Sequence, residues 1–158
     1  MTERQGQWAA IKPWFHVVSN GACVPVGELL PAAGLNFVAS FQGADAFSVD
    51  DAFQKFWDAF KLPDYFGWNW PALHDCLRDL SWLPGDQYLL VISEAEKVLL
   101  GDEEGRLEFL RLLAATGRRW SYVRHPEGTE TGRFKIVLMC SESHFDDLRN
   151  TFETLLHS

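Results

Sequence analysis

Between residues 62 and 80 the chain reads LPDYFGWNWPALHDCLRDL, and few folds accommodate such a segment. Leu62-Pro63 closes the helical pattern before it, because a proline ring disfavours helical backbone at the preceding residue. Gly67 permits a tight reversal that most residues resist, and Asn69 follows as a good helix N-cap. Leu73, Cys76, Leu77 and Leu80 then recur at the i, i+3, i+4, i+7 spacing of one helical stripe, so that face is predicted to enter a core. Pro71, Asp75, Arg78 and Asp79 fall on the opposite side. A rigid aromatic loop running into a helix that displays carboxylates can hold fixed negative charge out to a partner.

The flanking sequence predicts an α/β layer. Ser48 is a plausible N-cap for a helix in which Val49, Ala52, Phe53, Phe56, Trp57 and Phe60 form one apolar face, with Asp50, Asp51, Lys55 and Asp58 opposite. That aromatic stripe reads as core. Continuous apolar runs at Leu35 to Phe41 and Tyr88 to Ile92 read as buried strands, the second opened by a Pro84-Gly85 turn. Glu103 to Ala115 reads as a helix burying Leu107, Leu110, Leu113 and Ala114, with Gly117 suited to its C-terminal end. Trp120 to Arg124 and Phe134 to Cys140 are two further strand candidates joined by a polar loop, a hairpin being the simplest connection; either could be the third core strand. A last helix is expected from about Ser143 to Leu156, burying Phe145, Leu148, Phe152 and Leu155 or Leu156. At the N-terminus, Trp14 to Val18 reads as a strand, Asn20-Gly21 as a hairpin turn into Cys23 to Val26, and Glu28 to Ala33 as a short helix before Gly34. Strand, helix, helix, strand, helix, strand is the order of a small, partly parallel sheet packed by helices.

Composition narrows the function classes. With 158 residues, 47% of them apolar, the chain can bury a substantial core as one domain. Its formal net charge of −8 disfavours a nucleic-acid backbone or an anionic membrane as direct ligand and is compatible with a basic protein partner. No apolar run approaches the roughly 18 residues that cross a bilayer, and residues 1–7 are polar, so a cytoplasmic location is expected. Cys23, Cys76 and Cys140 are isolated and suggest buried free thiols rather than disulfides or a zinc site. His125, His144 and His157 are scattered, and no metal is expected.

Over LPDYFGWNWPALHDC the chain resembles the barstar family, intracellular inhibitors of a secreted guanyl-specific bacterial ribonuclease, whose pattern is LPxYYGxNxDALWDC. Leu62, Pro63, Tyr65, Gly67, Asn69, Ala72, Leu73, Asp75 and Cys76 match in register, and Phe66 replaces a tyrosine. Element order extends the resemblance from about Leu35 to Gly117 and a closing strand. It implies a barstar-like fold over residues 35–140, with residues 1–34 as an N-terminal extension and 141–158 as a C-terminal helix. It also implies inhibition by plugging, with Asp75 in a phosphate-binding pocket of the nuclease and Tyr65 packing at the interface. Departures point to a changed target. Pro71 stands where the family has an interface aspartate, His74 replaces an interface tryptophan, and the acidic position on the later helix falls near Leu112, while Trp68, Trp70 and Asp79 are additions.

Other chemistries are weaker. Asp75 and Asp79 could be read as an acid and base dyad, yet Arg78 adjoins them and no nucleophile shares their face; a solvated helix face or partner recognition explains the pair better. His74 and Cys76 point about 200° apart around a helix, which argues against a Cys/His nucleophile. Trp68 and Trp70 could stack bases, but no neighbouring Lys or Arg holds a backbone, so interface anchoring or core packing is favoured. The expectation is a non-enzymatic, cofactor-free immunity or antitoxin protein that occludes a basic nuclease toxin. Tyr65, Trp68, His74, Asp75 and Asp79 would form the partner surface, with Gly67 and Asn69 as structural support. The alternative is a small regulatory or scaffold module with a non-nuclease partner.

Overall fold

A computed structural model describes residues 7–20, 35–122 and 133–157. Five strands form one sheet: β1 Trp8–Lys12, β2 Phe15–Ser19, β3 Asn36–Gln42, β4 Gln87–Ser93 and β5 Phe134–Cys140. Their order is β1-β2-β5-β4-β3; the β1/β2 pair is antiparallel and every other pair is parallel. The helices are α1 Val49–Phe60, α2 Trp70–Asp79, α3 Glu103–Ser121 and α4 Glu142–His157. This is the expected mixed α/β architecture, a mostly parallel sheet packed by helices with an N-terminal hairpin and a closing strand and helix.

Parallel strands need crossovers, and helices supply them between β3 and β4 and between β4 and β5. One sheet face, with Phe15, Val17, Ala39, Phe41, Leu90, Ile92, Phe134, Ile136 and Leu138, joins the helices in the main core. Phe53, Phe56 and Phe60 enter it from α1, Phe109 and Leu113 from α3, and Phe145 and Phe152 from α4. The other face carries a smaller apolar cluster of Val18, Leu89 and Val137. Strands buried on both faces have near-continuous apolar sequences rather than alternating ones, which is why β4 and β5 read as strand candidates in the sequence.

Several expectations are corrected. A hairpin not foreseen in the sequence joins β1 through Pro13-Trp14 to β2, and Asn20 then donates to the Cys140 carbonyl at 2.8 Å, extending the β5 ladder. The expected strand from Cys23 to Val26, the helix from Glu28 to Ala33, Gly34, and His125 lie outside the described residues. Trp120 does not begin a strand. The helix runs on through Gly117 to Ser121, and β5, paired in parallel with β2 and β4, is the third core strand. Gly117 sits inside α3 because Trp14 packs there: a Cβ at this position would lie 2.2 Å from the Trp14 ring. Trp120 is buried and donates its indole N–H to the Leu77 carbonyl at 2.8 Å, tying α3 to the end of α2. Leu107, expected inward, is 42% exposed.

Glu96 fastens the start of α4 to the end of β4. Its carboxylate accepts the Ser141 N–H at 3.1 Å, and His144 Nδ1 lies 3.8 Å away. Burial opposes its ionisation, but backbone N–H groups of Glu96 and Ser141, the Ser141 hydroxyl and His144 together favour the charged form, and its pKa lies below the ordinary carboxylate value.

Gly117→Ala gains about 1 kcal/mol of helix propensity but forces the buried Trp14 ring to move, and overpacking typically costs about 1–3 kcal/mol. A lower urea midpoint for the variant is expected. Because the folded pKa of Glu96 is depressed, its stabilisation is present above the unfolded value of about 4.3 and fades as pH falls through the lower folded value. The stability gap between the native protein and Glu96→Gln should therefore be greatest near neutrality and close in acid, as urea melts across pH would record.

Candidate functional site

The segment that links α1 to α2 is held by local bonds at each step. Ser48 and Asp51 form a reciprocal capping box at the start of α1. At its end Lys61 adopts the left-handed conformation and donates to the Trp57 carbonyl. Phe66 N–H bonds to the Pro63 carbonyl at 2.9 Å, and the Phe66 ring is buried, edge-on to Phe53 with centroids 6.0 Å apart. Gly67, expected to permit a tight reversal, is followed by Trp68 in the left-handed conformation, at φ 53°. Asn69 then uses both ends of its amide: Oδ1 accepts the Ala72 N–H at 2.8 Å, capping α2, and Nδ2 donates to the Gly67 carbonyl at 3.2 Å. Pro71 occupies the first turn of α2, where no intrahelical donor is required.

Leu73, Cys76 and Leu77 are buried, as is Leu80 at the C-cap, so Asp75 and Asp79 point outward. Tyr65, Asp75 and Asp79 surround one depression of about 260 Å3 whose remaining walls are Phe66, Ala72 and Cys76. Tyr65 is 71% exposed. Its hydroxyl pKa is raised, first by desolvation and then by the Asp79 and Cys76 charges. Among the described residues neither Asp75 nor Asp79 forms a side-chain hydrogen bond or an ion pair, so both carboxylates keep their acceptor capacity. Two carboxylates and a phenol over an apolar floor can accept hydrogen bonds from an ammonium or guanidinium group.

His74 is turned away from this depression. It lines a separate groove between α2 and α3 with Trp70, Pro71, Glu108, Arg111, Leu112 and Ala115. Burial lowers its pKa first, Arg78 adds to the effect, and Asp75 opposes it, so the ring is neutral at pH 7. Leu112 is buried and offers no carboxylate, whereas Glu108, one turn earlier, supplies one to the groove. Sequence reading passed over Glu108 and Arg111, although their i, i+3 spacing on the exposed side of α3 was available.

The two added tryptophans do different things. Trp70 is half-buried and meets Phe53 edge-on at 4.8 Å, anchoring the start of α2 to α1. Trp68 is 43% exposed and stacks on Trp57 at 5.2 Å. The Cys76 thiol is buried, and its pKa is raised by desolvation, then by Asp75 and Asp79, which makes it a poor nucleophile. Among the described residues no group of three or more His, Cys, Asp or Glu side chains is arranged to hold a metal ion, and no helix is long and apolar enough to cross a membrane.

No curated protein matches the chain. The family model described as Barstar (barnase inhibitor) matches residues 36–139, a span that opens at β3 and runs to the next-to-last residue of β5. It covers well over half of the 158 residues and contains the loop, the capped helix and the depression between them. The chain belongs to the barstar, or barnase inhibitor, family.

Proposed function

We propose that this chain is an immunity or antitoxin protein of the bacterial cytoplasm that binds a basic nuclease toxin, a ribonuclease, and occludes its active site without a cofactor. Barstar-family members are inhibitors and bind a ribonuclease, and the acidic charge suits a cationic target. The observation that carries the reading is the convergence of Tyr65, Asp75 and Asp79 on one depression beside a loop pinned by Asn69. A ribonuclease site holds phosphate with cationic groups. A carboxylate fixed at the right place takes the position of that phosphate and receives charge-assisted hydrogen bonds.

Preorganisation matters as much as charge. A loop already locked by its caps and aromatic packing loses little conformational entropy on docking, so more of the contact energy appears as affinity. In this reading Asp75 is the central anion and Asp79 a second one. Tyr65 lies against the partner beside them, and Trp68 and His74 meet it on either side of the α2 ridge. Pro71 and His74 alter the surface at family interface positions, which favours a toxin other than barnase.

Titration against a panel of basic bacterial ribonucleases that includes barnase, read by calorimetry and by inhibition of RNA cleavage, tests the proposal. Asp75→Ala should weaken the best complex by about 10- to 100-fold, the equivalent of about 1.5–3 kcal/mol for a charged hydrogen bond. Asp79→Asn should weaken it less, and Glu153→Gln on α4 should leave it unchanged. Undiminished binding by Asp75→Ala would remove Asp75 from the interface. A tight complex that leaves RNA cleavage intact would favour a regulatory or scaffold role.

A further inference from the structure

Trp68 is held in a left-handed backbone that closes no helix. Five non-glycine residues have positive φ among those described. Two of them, Lys61 and Leu80, close the C-termini of α1 and α2, where the left-handed conformation serves the cap. Trp68 closes no helix; it lies between the Phe66 turn and the Asn69 cap. A side chain there costs on the order of 1–2 kcal/mol that glycine would avoid, and glycine stands one position earlier with an ordinary backbone. Such strain persists only where the surroundings over-determine it, and it gathers at binding sites.

The surroundings are aromatic. The Trp68 indole stacks on Trp57, with planes 28° apart, and its centroid is 5.1 Å from Phe66. Trp57 is half-buried in α1 and Phe66 is buried, so Trp68 rests on a fixed base while 43% of its surface meets solvent. Its ring carries no internal cation: among the described residues the cation contacts with rings are Arg133 over Trp120 and Arg149 over Phe145. Acidic residues adjoin the platform in the chain, Asp58 after Trp57 and Asp64 before Tyr65, both exposed.

The geometry points to the Trp57–Trp68 stack as a preformed platform for an arginine side chain of the partner, separate from the Asp75 depression. A guanidinium is planar and weakly hydrated and stacks on an indole face, while a lysine ammonium holds its water more strongly. The platform therefore selects arginine over lysine, which charge alone would not do. This inference deepens the reading of the loop and α2 as the partner surface and rests on it.

The test needs no nuclease, so its failure is distinct from failure of the inhibitor reading. The protein labelled with 15N is titrated with acetyl-triarginine amide and, at equal ionic strength, with acetyl-trilysine amide. Trp68→Phe assigns the Trp68 indole N–H resonance. A saturable shift of that resonance is expected with the arginine peptide, several-fold larger than with the lysine peptide, and retained in Asp75→Ala. Equal shifts with both peptides, or movement confined to other indoles, would overturn the proposal. Trp68→Gly, which relieves the backbone strain, should keep its melting temperature near that of the native protein and lose the arginine preference at the indole N–H of Trp57, the other ring of the stack. A large drop in melting temperature would mark Trp68 as a structural residue instead.

Discussion

Burial of one face of the parallel sheet beneath four helices is the interaction on which everything else depends. β3, β4, β5 and β2 pair in register with their helix-side residues aligned, Ala39 with Leu90, Leu90 with Ile136 and Ile136 with Phe15. A slip by one residue would turn each of these outward. The phenylalanines of α1, α3 and α4 fill the layer above, with Phe56, Phe60 and Phe134 in stacked contact. Two tryptophans lock this layer at its ends. Trp14 occupies the space left by Gly117, and Trp120 donates to the last turn of α2.

That rigidity sets the electrostatics of the site. α2 is clamped by its buried stripe and by Trp120, so its exposed carboxylates point in fixed directions. Asp75 and Asp79 share a face with Tyr65, while His74, one residue earlier, lies about 100° around the helix and enters a different groove. The Cys76 thiol between the carboxylates is protonated and buried. The surface is built to accept hydrogen bonds from a cationic partner, and its apolar floor of Phe66 and Ala72 adds area that a docking side chain can cover.

Local signals were the legible part. The Ser48 cap, the apolar spacing to Phe60, the Asn69 cap and the stripe through Leu77 are set by residues within a few positions of one another, and the structure matches them closely. Longer-range packing was hidden. Gly117 looks like a helix end until Trp14, distant in the chain, is seen lying against it. β1, with the sequence WAAIK, has two alanines where strand-favouring residues would signal a strand, and it pairs because β2 offers it an edge. The left-handed backbone falls on Trp68, whose indole packs on Trp57 and Phe66, contacts that no local signal announces.

By itself, then, the sequence determined the helix that carries Asp75 and Asp79, the loop that precedes it and the acidic balance of the whole chain. Capping, proline geometry and apolar period act over a few residues and need no tertiary partner. Only the tertiary structure decided which exposed groups share a surface. Tyr65 meets the two aspartates, Glu108 and Arg111 meet His74, and Trp68 comes to rest on Trp57 because helix packing, not chain order, sets the distances between elements.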